Sequence, residues 1–351
     1  MLNSLRAVAR FFQNTIGWNR IGVLLSIVII GIAVAVLVRM LRDIEVDEVF
    51  AALRATEGRH IAAAAAFVAG GYFTLTFYDW FALRTIGRGE IPYRVAALAG
   101  FTSYSIGHNI GATVFTGGAV RYRIYSACGL DAVEVAKICF VAGLTFWLGN
   151  VTVLGLGVTL DPIAASAIDQ LPSLPNRCIG VGLLVILASY VAWVWSAPRQ
   201  IGRGGWKVNL PSGPSTMLQI GIGIVDLGFC ALAMYMLLPD EPGIGFISLA
   251  VIFVSATLLG FASHAPGGLG VFDAAMLVAL WQFDKESVLA GLLLFRLLYY
   301  FVPFAIALAI LGTREIWLNM HGQKRKAELT AVTTVTAPIR SEIEPEKTDA
   351  G

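Results

Sequence analysis

Ser263-His264-Ala265-Pro266-Gly267-Gly268-Leu269-Gly270-Val271-Phe272-Asp273 interrupts a long apolar region: Ile244 to Phe261 leads into it, and Ala274 to Trp281 leads out. Pro266 lacks a backbone donor, and three glycines within four residues accept almost any backbone angle, so a helix breaks here. At membrane depth a broken helix leaves unpaired N–H and C=O groups, tolerated only against protein or a water-filled cavity. Asp273 follows in the first turn after the break, where a charge is costly without a partner or water. A kinked helix with a snorkelling carboxylate is the plain alternative. The stretch reads better as a broken-helix ligand site.

The rest of the composition agrees with a membrane setting. The 351 residues are 57% hydrophobic and 14% charged, with 37 glycines and a mean hydropathy of +0.75. Soluble domains carry about 25% charged residues. The fold class is therefore an all-α polytopic integral membrane protein. The formal charge of +2 says little, because lysine and arginine act here by location. Cys128, Cys139, Cys178 and Cys230 show no C-x-x-C spacing, and the four histidines share no ligand spacing, so no metal site or cofactor is expected. The first apolar run passes straight into Arg39 and Arg42, so no cleavable signal is read.

In chain order, residues 1–20 mix Arg6, Arg10 and Arg20 with apolar side chains, as in a cytoplasmic interfacial helix. Ile21–Val38 is the first span, and Val46, Val49, Phe50 and Leu53 suggest an interfacial helix after it. Ile61–Leu83 is the second span, with Asp79 placed at its wet end beside Trp80. Val95–Phe115 is apolar but holds Ser103, Ser105, Gly107, His108, Asn109 and Gly111, and Gly117-Gly118 and Arg121-Tyr-Arg123 follow. Val135–Leu160, Cys178–Trp195 and Thr216–Leu238 are further spans, the last with Asp226 near its middle. Val288–Leu311 closes the transmembrane domain of 21–311 with Arg296 in its first third, and 312–351 reads as a disordered cytoplasmic tail.

The two Gly-Gly breaks are alike: Gly117 and Gly267 stand 150 residues apart, each after an apolar run and before a charge. Each following arm spans roughly 16 Å of helix, too short to cross a core of about 30 Å. Both breaks are expected to be tips of re-entrant hairpins. The chain then has about six full spans and two hairpins in two repeats, 21–160 and 178–311, of opposite orientation. Inverted repeats with broken helices mark many alternating-access transporters. Both termini are placed in the cytoplasm, although Arg39, Arg42, Arg54 and Arg59 in an external loop go against the positive-inside rule.

Arg121, Arg123 and Arg296 suit a phosphate, since guanidinium matches its oxygens and stays charged when buried. Asp226 and Asp273 suit a cationic group, or the charges form internal ion pairs that lock helices together. His108 and His264 lie in the approach arms, as proton-linked groups or as packing histidines. Gly117, Gly118, Pro266, Gly267, Gly268 and Gly270 are read as the hairpin residues. No nucleophile with a placed base, phosphate loop or dinucleotide motif is present, so catalysis is not favoured.

Ser105-Ile-Gly-His-Asn-Ile-Gly, Thr116-Gly-Gly-Ala-Val-Arg-Tyr-Arg-Ile-Tyr-Ser, Gly143-Leu-Thr-Phe-Trp-Leu-Gly149 and Ser263–Asp273 together resemble the membrane domain of the lysylphosphatidylglycerol synthase/flippase (MprF-like) family. The resemblance covers most of 20–312 and implies translocation of aminoacylated phosphatidylglycerol between leaflets of a bacterial inner membrane. The family's aminoacyl-transferring domain is not found in this chain, so that activity is not carried over. The functional expectation is a phospholipid flippase contributing to envelope charge and cationic peptide resistance. The alternatives are a membrane partner or catalytic subunit of a lipid-linked transferase, and an envelope scaffold. Expected partners are a membrane phospholipid and a separate lipid-aminoacylating enzyme, with homo-oligomers left open. Nothing is basic or aromatic enough for nucleic acid.

Overall fold

The structure, a computed structural model, describes residues 46–111, 113–203 and 206–314. The expected interfacial segment 1–20, the span Ile21–Val38 and the tail beyond 314 lie outside the described residues. The chain divides into two units, Met1–Ala307 and Leu308–Gly351, the second contributing only the helical residues 308–314 to the described part.

The protein is all-α and polytopic, as its composition requires. Among the described residues six helices are long and apolar enough to cross a membrane. The helices are α1 (Val46–Ala55), α2 (Gly58–Thr85), α3 (Tyr93–Ile110), α4 (Thr113–Tyr125) and α5 (Ala132–Leu160). They continue with α6 (Pro162–Asp169), α7 (Ser173–Ser196), α8 (Gly213–Tyr235), α9 (Phe246–Ser263), α10 (Val271–Ala279) and α11 (Lys285–Arg296). The membrane-length set is α2, α5, α7, α8, α9 and the continuous helical run Lys285–Arg314.

Local chemistry explains the boundaries. Asp131 and Glu134 form a reciprocal capping box at the start of α5, with Glu134 N–H donating to Asp131 Oδ1 at 2.7 Å and Asp131 N–H to Glu134 Oε2 at 3.0 Å. The connection between α5 and α7 holds α6. Asp161 caps it and Pro162 supplies a first residue with its φ already set. The loop after α7 folds into a two-stranded antiparallel hairpin, β1 (Gln200–Arg203) with β2 (Trp206–Asn209). Val49 of α1 is buried, and α1 packs against α11.

The first helix break is displaced from its expected position. Gly117 and Gly118 do not form a tip: both lie inside α4, and neither has a positive φ. The chain turns instead at Gly111, whose φ of +84° is open to glycine. Gly117 serves packing, because a Cβ there would stand 3.2 Å from Ser103 O on α3. Arg121 is consequently well inside α4, not in the first turn after a break. The second break falls where the sequence puts it. Pro266–Gly268 is a single 3-10 turn between α9 and α10, and His264, Gly267, Gly268 and Gly270 have φ of 57°, 59°, 62° and 79°.

Two close contacts hold the bundle together. At the crossing of α5 and α8, a Cβ on Gly149 would stand 2.7 Å from Gly223 Cα, and the converse distance is also 2.7 Å. Small residues allow backbones to approach this closely in a bilayer, where no hydrophobic force drives helices together. Gln219 of α8 donates to Thr145 Oγ1 of α5 at 2.8 Å in the same interface. After α11 the helix widens into a π turn over Leu297–Phe301. Its carbonyls accept from other helices: Tyr72 Oη donates to Tyr299 O at 2.9 Å, and Asn109 Nδ2 to Tyr300 O at 3.0 Å.

Candidate functional site: a cavity between two broken helices

The two breaks meet. A Cβ on Gly111 would stand 3.2 Å from Pro266 Cα, and one on Gly267 would stand 3.5 Å from the His108 carbonyl oxygen. Beside this junction lies a cavity of about 280 Å³. Nine Phe and Tyr rings line it, contributed by α3, α4, α5, α9, α10, α11 and the π turn. Val114 and Phe115 also line it and are 71% and 80% exposed, so the cavity opens to the protein surface through an apolar rim.

Among the described residues Asp226 is the one acid in the lining. It is 4% exposed; its Oδ2 accepts from Tyr78 Oη at 2.9 Å, while its Oδ1 has no hydrogen-bond partner. Across the cavity the Nδ1 of His108 is likewise buried without a partner, and its ring stacks on Tyr299 at 6.0 Å. Buried polar atoms are seldom left unsatisfied, and those that are ask for an explanation.

Three of the other expected site charges, Arg121, Asp273 and Arg296, are closed into pairs behind the cavity wall. Arg121 Nε donates to both carboxylate oxygens of Asp79 at 3.0 Å and Nη2 donates to Oδ1 at 2.7 Å, with Tyr125 Oη donating to Oδ2 at 2.8 Å. Asp79, read from the sequence as a wet interfacial residue, is 0% exposed. Arg296 Nε donates to Asp273 Oδ1 at 2.9 Å, Nη2 to Oδ2 at 2.6 Å, and Nη1 to Gly267 O at 3.2 Å. Asp273 also accepts from Gly270 N–H at 3.0 Å, which ties the break to the ion pair. Each guanidinium lies over a tyrosine that lines the cavity: Arg121 Cζ is 4.8 Å from the Tyr104 ring centre and Arg296 Cζ 5.5 Å from that of Tyr300.

The structure thus places Asp226 and His108 on the cavity, with His264, Gly267 and Gly268 on its edge. Arg121, Asp273 and Arg296 are not in the lining, and Arg123 is exposed. Pro266 and Gly270 shape the turn, Gly117 serves helix packing, and Gly118 lies inside α4. Sequence reasoning missed the Asp79 partnership and the tyrosines at positions 78, 104, 125 and 300. Among the buried charges of the described residues, two arginines, Arg121 and Arg296, stand against three acids, Asp79, Asp226 and Asp273, and the odd acid is the one on the cavity.

No protein-family profile matches the chain. It is 29% identical over 282 residues to the Synechocystis protein slr0712, covering 80% of this chain and 87% of that one. It is 28% identical over 279 residues to the inner membrane protein YbhN of Escherichia coli, covering 78% and 86% respectively. A shorter stretch of 88 residues is 44% identical to phosphatidylglycerol lysyltransferase of Staphylococcus aureus, spanning 24% of this chain and 10% of that protein. The chain is thus a homologue of YbhN and slr0712 along most of its length and shares a shorter segment with phosphatidylglycerol lysyltransferase, the relationship that its glycine motifs lead one to expect.

Proposed function

We propose that the protein is an inner-membrane lipid translocase that passes a phospholipid headgroup between leaflets, with aminoacylated phosphatidylglycerol as the first substrate class to test. The observation that carries this reading is Asp226: a buried carboxylate with an unpartnered oxygen, on an aromatic cavity that opens through an apolar rim. A headgroup crossing bare hydrocarbon loses its hydration, and a polar site inside the bundle replaces part of it. The acyl chains stay in the bilayer beyond Val114 and Phe115. The segment shared with phosphatidylglycerol lysyltransferase, named for lysine transfer to phosphatidylglycerol, supports the choice of lipid. In this reading the pairs α3–α4 and α9–α10 are re-entrant hairpins of an inverted repeat, both termini are cytoplasmic, and translocation alters the envelope's charge.

The test is reconstitution in vesicles of phosphatidylcholine and phosphatidylglycerol carrying a trace of fluorescent lipid in one leaflet. Purified protein should speed loss of the dye to the opposite leaflet, and Asp226→Asn should slow the aminoacylated lipid. Movement of no labelled lipid above protein-free vesicles overturns the proposal and leaves a transferase subunit or a scaffold.

A further inference from the structure

Asp226 raises a question the translocase reading leaves open. Among the described residues the cavity lining contains no lysine or arginine, and Arg121 and Arg296 behind its wall are bonded to Asp79 and Asp273. The groups facing Asp226 are Tyr72 and Tyr78 from α2, Tyr104 from α3, Tyr299 from the π turn and Cys230 from its own helix; His108, Tyr300 and, just past the end of α9, His264 also line the cavity. α5 and α9 present only uncharged side chains there, Phe146 and Phe253 among them. None of these residues supplies a fixed positive charge. A bare carboxylate in such a place is costly, and the Tyr78 hydroxyl satisfies only one of its oxygens. Two things neutralise it: a proton, or a cation held by the carboxylate and the surrounding ring faces.

We infer that Asp226 is an exchange site at which a proton and a substrate ammonium group compete, so that a cationic headgroup moves in one direction while a proton moves in the other. This rests on the translocase reading and adds its coupling. Without substrate the carboxyl keeps its proton. When an R–NH3+ group enters, the carboxyl O–H bond breaks, the proton leaves to water, and the ammonium N–H groups donate to the carboxylate. The site is neutral in both states. Release on the other side reverses the step, with a proton taken from that side. A plain anionic headgroup has no group to displace the proton and gains nothing from the exchange.

Two measurements test it. In weakly buffered detergent solution at about pH 6, short-chain lysyl-phosphatidylglycerol should release about one proton per lipid bound, by linkage between the two ligands of one site. Short-chain phosphatidylglycerol should release none, and Asp226→Asn should release none with either lipid. In vesicles, an acidic lumen one pH unit below the outside should draw labelled lysyl-phosphatidylglycerol inward to a ratio approaching tenfold, and Asp226→Asn should abolish that response. Asp226→Glu, which keeps the carboxyl, should retain proton release even if Asp226→Asn fails to insert. Binding of the cationic lipid with no proton release by the wild type overturns the exchange, as does failure to bind it. If labelled lipids still cross under those outcomes, the translocase survives without its proton coupling.

Discussion

Asp79, Arg121 and Tyr125 form a closed hydrogen-bonded group in which every named partner is buried, and Asp273 with Arg296 repeats the arrangement at the second break. Such pairs add little net stability, because desolvation offsets most of the attraction, but stranding one member is expensive. Arg121→Gln should therefore cost about 3–5 kcal/mol, and the double substitution Asp79→Leu with Arg121→Met should restore most of it. Thermal unfolding in detergent measures both. Asp273 has the same standing as counter-ion of Arg296 and cap of the Gly270 N–H. Asp273→Asn should lower the movement of lysyl-phosphatidylglycerol and of phosphatidylglycerol by the same factor, and a selective loss would mark it as a headgroup contact. The residue types of this network were legible in the sequence, since arginine and aspartate in apolar runs announce themselves. Their pairing was not. Arg121 meets an acid 42 positions earlier, a distance set by how α2 and α4 pack and not by any spacing along the chain.

At the level of elements, the membrane-length helices α2, α5, α7, α8 and the run Lys285–Arg314 were legible from hydropathy alone, because a bilayer requires every backbone group to be satisfied within its own segment. The second break was legible too, through Pro266 and its glycines. The first was misplaced by six residues, from Gly117 to Gly111. A glycine required by close packing and one required by a left-handed turn look identical in a sequence. Gly111 fails on both counts when substituted, having a positive φ and the Pro266 backbone 3.2 Å from its missing Cβ. Gly111→Val should thus slow lipid movement more than tenfold at matched folded protein, as the turn rebuilds against the second break. The α5–α8 crossing is tested separately. Gly149→Leu places a branched side chain where Gly223 Cα stands at 2.7 Å, and should abolish recovery of monodisperse protein. Gly143→Leu, on the same helix with nothing within 4 Å of its Cβ position, should change stability by about 0.5 kcal/mol or less.

For the whole molecule, the proposed topology turns on which side each loop faces. In a cysteine-free background, a cysteine replacing Lys207 in the β hairpin should react with an impermeant maleimide only from the cytoplasmic side. One replacing Asp240, beyond the far end of the 23-residue α8, should react only from the outside. Labelling of both from one side would remove α8 as a crossing helix, and with it the inverted repeat. One feature bears on how such a bundle changes state. The π turn at Leu297–Phe301 acts as a one-residue phase slip in a screw. Each residue advances an α-helix by about 100°, so a segment that carries one extra residue per turn can hand that surplus along its thread. The carbonyls of Tyr299 and Tyr300, now engaged by Tyr72 and Asn109, are the teeth that fix the present setting. Withdrawing those two side chains would leave two carbonyls unpaired on the cavity's own wall.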